Sequence, residues 1–232
     1  MMQRIKFSFI REEKVKYISH LEIMRAFHRA IRRAKLPVAM SQGFNPQLRM
    51  SIALPLAIGV TAGNEMAEVY MTEETEPKEF QRRLNESLPE GLVIFNAVES
   101  VADAPQLMQL VDAALYYIKP FSDIQKIQKG FFNEGVEFIL NEGSIIVWRK
   151  AKKKNREFDI RPYIINMEVL NDNETECLEM FLQTGSRGGA KPSEVLAAMG
   201  KATNCEELSY SMQIHRKGLF NKTNDKDYKP LS

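Results

Sequence analysis

The stretch from 19 to 59, SHLEIMRAFHRAIRRAKLPVAMSQGFNPQLRMSIALPLAIG, gathers residue types that could meet a polyanion. Arg25, Arg29 and Arg32 stand at i, i+4 and i+7, so a helix would line them along one side, with Arg33 beside them. Such a row holds phosphates by charge and by the guanidinium fork. In SQGFNPQLR (41–49), Gly43 and Asn45 tolerate left-handed backbone and Pro46 sets a turn. Phe44 sits among them without a periodic partner, next to Gln42, and Arg49 adds a further cation. An aromatic ring presented beside arginines meets the joint needs of base stacking and phosphate contact. Arg25, Arg29, Arg32, Arg33, Gln42, Phe44, Asn45 and Arg49 are therefore the first candidate surface. The plain alternative is a solvated helix face with Phe44 turned inward.

A second basic group, RKAKKKNRE (149–157), follows the only tryptophan, Trp148. Lys152, Lys153, Lys154 and Arg156 there suit phosphate contact without sequence reading. A third group joins Arg161 in FDIRPYI to Arg187, Gly188 and Gly189 in QTGSRGGAKPSEVL, where a glycine-rich turn feeds a helix headed by Pro192 and Ser193. Amides at such a turn can hold an anion. The spacing is neither a P-loop nor a dinucleotide fingerprint, and an ordinary strand-to-helix loop accounts for it as well. His20, with Tyr17 and Ser19, could form a general acid/base group for metal-independent RNA cleavage, or His20 could be a core or capping histidine.

These groups need elements to carry them. RIKFSFI (4–10) alternates Ile5, Phe7 and Phe9 with Arg4, Lys6 and Ser8, the period of a half-buried strand whose polar residues face out. Ser19 with Glu22 forms a capping-box pattern ahead of His20, Ile23, Met24, Phe27, Ala30, Ile31 and Ala34 at helical spacing, ended before Pro37. MSIALPLAIG and AEVYMTE read as strands, PKEFQRRLNESL as a helix and VIFNAVES as a strand, which gives the order β-α-β-β-α-β of a split βαβ unit. After a helical connector at 102–112, the chain reads as a strand at 114–120, a helix at 122–133, strands at 136–140, 144–150, 164–170 and 177–185, a helix at 192–200 and a strand at 209–220. The expected fold is α+β, with two ferredoxin-like units at 1–101 and 113–220, antiparallel sheets with helices on one face, and a polar tail at 221–232 that frays.

Charge is segregated along the chain. Residues 1–56 hold 11 basic and 3 acidic side chains and residues 57–112 hold 3 and 11, although the net charge is only +2. Segregation of this kind makes a local positive field. Two cysteines, Cys177 and Cys205, cannot build a disulfide framework, an iron–sulfur site or a zinc site on their own. No apolar run approaches the ~18 residues of a membrane span and no leader pattern opens the chain, so a cytoplasmic protein is expected.

Across YISHLEIMRAFHRAIRRAKLPVAMSQGFNPQLRMSIALPLAIGV, and again in DIRPYI and QTGSRGGAKPSEVL, the chain resembles a radical-SAM-linked bacterial family of unknown function. Its members are fused to, or encoded beside, cobalamin-binding radical SAM proteins. The ending HRKGLF departs from the arginine-threonine-leucine ending of that family. The resemblance implies a radical SAM partner that supplies S-adenosylmethionine, an iron–sulfur cluster and cobalamin, since this chain lacks the thiolate triad such an enzyme needs. The expected role is an accessory that binds ribosomal or transfer RNA and presents it to that partner. The rivals are an endoribonuclease acting through His20 and a protein-interaction module docking the partner.

Overall fold

The computed structural model describes residues 2–101, 104–121, 130–150, 155–172, 175–224 and 227–231. It is an α+β protein with mostly antiparallel strands. The chain divides into two compact units, one of residues 1–111 with 218–232 and one of residues 112–217.

In the first unit, β1 (Gln3–Arg11) pairs antiparallel with β3 (Val60–Met71) on one side and β4 (Leu92–Ser100) on the other. A short β2 (Met50–Ile52) pairs with the opposite side of β3, so the strands run β4-β1-β3-β2. Of the expected strand at 50–59, only these three residues pair. Helices α1 (His20–Arg33) and α2 (Pro77–Asn85) cover one sheet face. Their phenylalanines meet those of β1: Phe27 lies 5.8 Å from Phe7 and 5.0 Å, edge-on, from Phe9, and Phe80 lies 5.5 Å from Phe7. All four rings are buried. Aromatic pairs at these separations add to the stability that burial supplies.

The alternation in β1 holds for Ile5, Phe7 and Phe9, but on its polar side only Lys6 is partly open to water. Arg4 is 3% exposed and Ser8 6%. Arg4 and Glu68 stand on the sheet face opposite the helices, 2.9 Å apart, and Glu68 is 1% exposed. The Arg4 guanidinium also donates to the carbonyls of Ala104 and Pro105, both at 2.6 Å. Glu68 in turn accepts from the Leu107 amide at 3.4 Å and from the Ser51 hydroxyl at 3.2 Å. The connector carrying α3 (Leu107–Leu110) is thus tied down over this face. Strand periodicity reports the helix side alone and cannot foresee that roof.

In the second unit, β5 (Ala113–Pro120), β9 (Thr175–Gln183) and β8 (Ile164–Asp172) pair in that order, antiparallel. Helix α4 (Phe131–Asn141) packs on α5 (Pro192–Ala202), a short α6 (Glu206–Ser209) follows, and β6 (Ile146–Arg149) with β7 (Arg156–Asp159) forms a separate hairpin. The expected strand at 136–140 is instead part of α4. Its Val, Phe and Ile suit a strand, yet Phe131, Phe132, Gly135 and Ile139 bury one helical face. Gly135 permits the close helix contact, because a Cβ there would stand 2.5 Å from the Met199 Cε. Most of the helix expected at 122–133 falls outside the described residues.

Strand β10 (Met212–Lys222) ends in the first unit, where β11 (Tyr228–Pro230) pairs with its last residues. The tail therefore does not fray as expected: the Leu231 amide bonds to the Leu219 carbonyl at 2.9 Å and Leu231 is buried. Among the described residues, no helix is long and apolar enough to cross a membrane.

Removing one partner of a buried ion pair leaves the other charge uncompensated, at a cost of about 3–5 kcal/mol. Arg4→Met is therefore expected to lower unfolding stability by about that amount in urea melts, and a second change, Glu68→Leu, to restore most of it. A loss below ~1 kcal/mol for Arg4→Met would contradict the anchoring role.

Candidate nucleic-acid interface

Helix α1 begins at Ser19, whose hydroxyl accepts from the Glu22 amide at 3.3 Å. It ends in a Schellman motif: Lys35 takes φ +50°, its amide bonds to the Arg32 carbonyl, and the Leu36 amide reaches the Ile31 carbonyl. Arg83 of α2 covers that end, donating to the Ala34 carbonyl and, at 2.8 Å, to that of Lys35. Arg33 answers by donating to the Ser87 carbonyl beyond α2. Arg25 pairs with Glu22 one turn back. Arg29 and Arg32 are exposed, and neither has an ion pair among the described residues. The arginine row thus divides into two side chains already engaged and two with their forks open to solvent.

The loop from 41 to 47 is closed rather than slack. The Ser41 amide bonds to the Gln47 carbonyl at 2.7 Å, and the Gln47 amide bonds back to the Ser41 hydroxyl at 2.9 Å. Below it Met40 bridges Leu48, and the Arg49 amide reaches the Ala39 carbonyl at 2.7 Å. Gly43 holds φ +125°, which a side chain would resist. Phe44 stands at the apex, fully exposed at 112% of the reference value. It does not turn inward. Gln42 and Asn45 are exposed beside it, and Asn45 accepts from the Gln47 side-chain amide at 3.4 Å. Arg49 lies over the Tyr70 ring at 4.0 Å, with its Nη1 3.5 Å from the Met2 sulfur. Tyr70 is the supporting residue that sequence reading misses, because cross-strand register is not written in local pattern.

The second-unit candidates are more heavily engaged. Arg161 donates to the Glu142 and Leu140 carbonyls at 3.1 and 3.2 Å, which closes the C-terminal end of α4. Arg187 pairs with Asp112. Gly188 holds φ +97° against Tyr163, and a Cβ on Gly189 would stand 2.4 Å from the Gln183 carbonyl oxygen. At the α5 N-terminus, the Glu194 carboxylate accepts the Lys191 amide at 3.1 Å and binds Arg149 through both oxygens, at 2.8 and 2.6 Å. The chain's own carboxylate occupies the place where an external anion would sit. Arg156 is exposed on the β6–β7 hairpin, while Lys152, Lys153 and Lys154 fall outside the described residues.

His20 borders a narrow cleft with Phe9, Arg11, Ile23, Ile52, Leu56 and Glu65. The cleft has about 10 Å³ of free space, roughly one water. Burial pushes the His20 pKa down, Arg11 pushes the same way, and Glu65 opposes them. The Ser19 hydroxyl serves the helix cap, and Tyr17 is exposed with the Lys16 ammonium 5.1 Å from its ring centre. The His28 pKa is also lowered, by burial and then by Arg32, and its buried Nε2 has no hydrogen-bond partner. Among the described residues, no cluster of three or more His, Cys, Asp or Glu is placed to hold a metal ion.

Residues 4–192 match a family described as an uncharacterized protein conserved in bacteria (DUF2344). The chain belongs to this family. No curated protein matches it. Among solved structures it is similar to an unknown protein from Galdieria sulphuraria, at 14% identity with both chains fully covered and a TM-score of 0.28. It is also similar to a chain of a Cbf5-Nop10-Gar1 complex, at 12% identity over 92% of this chain and 49% of that one, with a TM-score of 0.41. Likenesses this distant carry no argument about fold or role.

A histidine whose folded pKa lies below its unfolded value takes up more protons when the chain unfolds, so stability is complete above the unfolded pKa and declines as pH falls through it. For His20 and His28 that window opens at the ordinary value of 6.5 and extends downward. Thermal melts are expected to fall on acidification from about pH 7 to pH 5, ahead of carboxylate titration. The double variant His20→Gln, His28→Gln should flatten that slope, and an unchanged slope would contradict the assignment.

Proposed function

We propose that this protein binds RNA through the loop at 41–47 and the open arginines of α1, and presents it to a radical SAM enzyme. The observation that carries the reading is Phe44: a large apolar ring held fully in solvent at the apex of a loop closed by its own hydrogen bonds. Burial is the usual fate of such a ring, and a fixed exposed one offers a stacking surface at little ordering cost. Arg29 and Arg32 supply phosphate contacts, and Arg49, seated on Tyr70, adds a positioned cation. Arg25 and Arg33 contribute after exchanging their present partners.

The order β4-β1-β3-β2 with two helices on one face supports reading the first unit as a ferredoxin-like split βαβ. The second unit, three antiparallel strands with α4 and α5, is proposed as a variant of the same plan. The radical SAM partner, with S-adenosylmethionine, an iron–sulfur cluster and cobalamin, rests on the family resemblance, and a cytoplasmic setting on the low cysteine content, two residues in the whole chain. The chemistry belongs to that partner, and this chain's part is to bind and orient the RNA.

Anisotropy titration of a labelled single-stranded RNA tests the binding. Affinity is expected to fall steeply with salt, and Arg29→Ala with Arg32→Ala to reduce the log–log slope by about 1.4, at roughly 0.7 per contact. Phe44→Ala should cost about 1–3 kcal/mol and leave the slope unchanged. Binding that ignores salt, or no binding, would overturn the proposal. RNA cleavage lost in His20→Ala would instead favour the nuclease reading.

A further inference from the structure

Two strands alone make a marginal structure in water, so the β6–β7 hairpin needs an anchor. Register pairs Val147 with Phe158 and Arg149 with Arg156, which places these four on one face. That face is held. The Arg149 guanidinium lies 3.8 Å from the Phe158 ring centre, binds Glu194 through both oxygens and donates to the Gly189 carbonyl at 2.6 Å. Phe158 stacks on Tyr163 at 5.3 Å with the rings 19° apart.

The other face pairs Ile146 with Asp159 and Trp148 with Glu157. Here Ile146 is 52% exposed and Trp148 68%. The hairpin is thus fixed on one side while it holds a tryptophan out on the other. Lys150, just past the end of β6 and two residues beyond Trp148, is exposed. From 149 to 156 the sequence carries six lysines and arginines and no acid. Two carboxylates share the Trp148 face: Asp159, which accepts from the Ile145 and Arg161 amides, and the exposed Glu157.

We propose that Trp148 is a second stacking residue for single-stranded RNA, with Lys150 taking an adjacent phosphate. The inference rests on the RNA reading for the class of ligand, while its residues are separate from Phe44 and the α1 arginines. Single-stranded RNA is favoured over duplex because indole can stack only on a base that is not already paired and stacked. It is favoured over an acidic protein surface because a solvent-held aromatic within a basic stretch serves both parts of a nucleotide.

Trp148 is the only tryptophan, so emission reports on this hairpin alone. Titration with oligouridine is expected to quench it, and added salt to reverse the quenching. In anisotropy, Trp148→Ala should weaken binding by about 5- to 150-fold and Trp148→Phe by less, while Lys150→Ala should lower the salt slope by about 0.7. RNA binding that depends on Phe44 but leaves the emission unchanged would overturn this inference and keep the proposed function. Quenching that Phe44→Ala does not touch would support the inference, and an anisotropy affinity equally untouched by Phe44→Ala would count against the loop. Equal quenching by polyglutamate, a polyanion without bases, would overturn stacking in favour of an acidic protein partner. No RNA binding of any kind would overturn both.

Discussion

The first unit depends on a buried ion pair. Arg4 and Glu68 lie on adjacent strands, each almost completely excluded from solvent. Two charges in such a place are tolerable only when their remaining hydrogen-bonding capacity is met. Arg4 meets most of it with the Ala104 and Pro105 carbonyls, and Glu68 with the Leu107 amide and the Ser51 hydroxyl. The pair therefore joins four segments that local sequence pattern would never bring together: β1, β2, β3 and the connector. One guanidinium nitrogen, Nε of Arg4, has no partner, which adds to the cost of burial.

The same pair limits where the proposed RNA could be met. A four-stranded sheet with helices on one face offers its other face as a platform on which bases can stack. Here most of the central rows of that face is covered, with Arg4, Ser8, Met66 and Glu68 buried and Lys6 half-buried. An aromatic group for the proposed RNA would then stand elsewhere, and the exposed rings include Phe44 at a loop apex, Tyr17 beside Lys16 and Trp148 on a hairpin. Phe44 and Trp148 are carried by segments closed by hydrogen bonds, Ser41 with Gln47 in one case and Arg149 with Glu194 in the other.

The sequence shows the first unit well and the second less so. The order of elements through residue 100, the α1 cap and the buried stripe of Ile23, Phe27, Ala30 and Ile31 follow from periodicity and capping, which are local. The helix at 131–141 is misread because its apolar residues favour strands and the packing of Gly135 on Met199, some sixty residues away, is invisible locally. Charge is the hardest to read. Arg29 and Arg33 look alike in sequence, but Arg33 and Arg83 tie the ends of α1 and α2 to each other while Arg29 stays open. Likewise Arg161 closes a helix end and Arg149 anchors a hairpin. An arginine becomes structural when a carbonyl or carboxylate from a distant segment comes within reach of its fork, and no spacing rule predicts that.

Tyr70 connects the buried pair to the surface. Its ring stands 5.9 Å from the Arg4 guanidinium and 4.0 Å from that of Arg49. One ring thus meets a cation committed to the core and another near solvent. Backbone bonds hold Arg49 at the same place, its amide to Ala39 and its carbonyl to the Tyr70 amide. The side chain is therefore ordered before any ligand arrives, as is the loop that carries Phe44. Groups already fixed in position lose little freedom on association, so more of each contact is retained as affinity. A surface that only solvated the helix would have no need of such fixing, which supports the proposal that the loop and Arg49 act together.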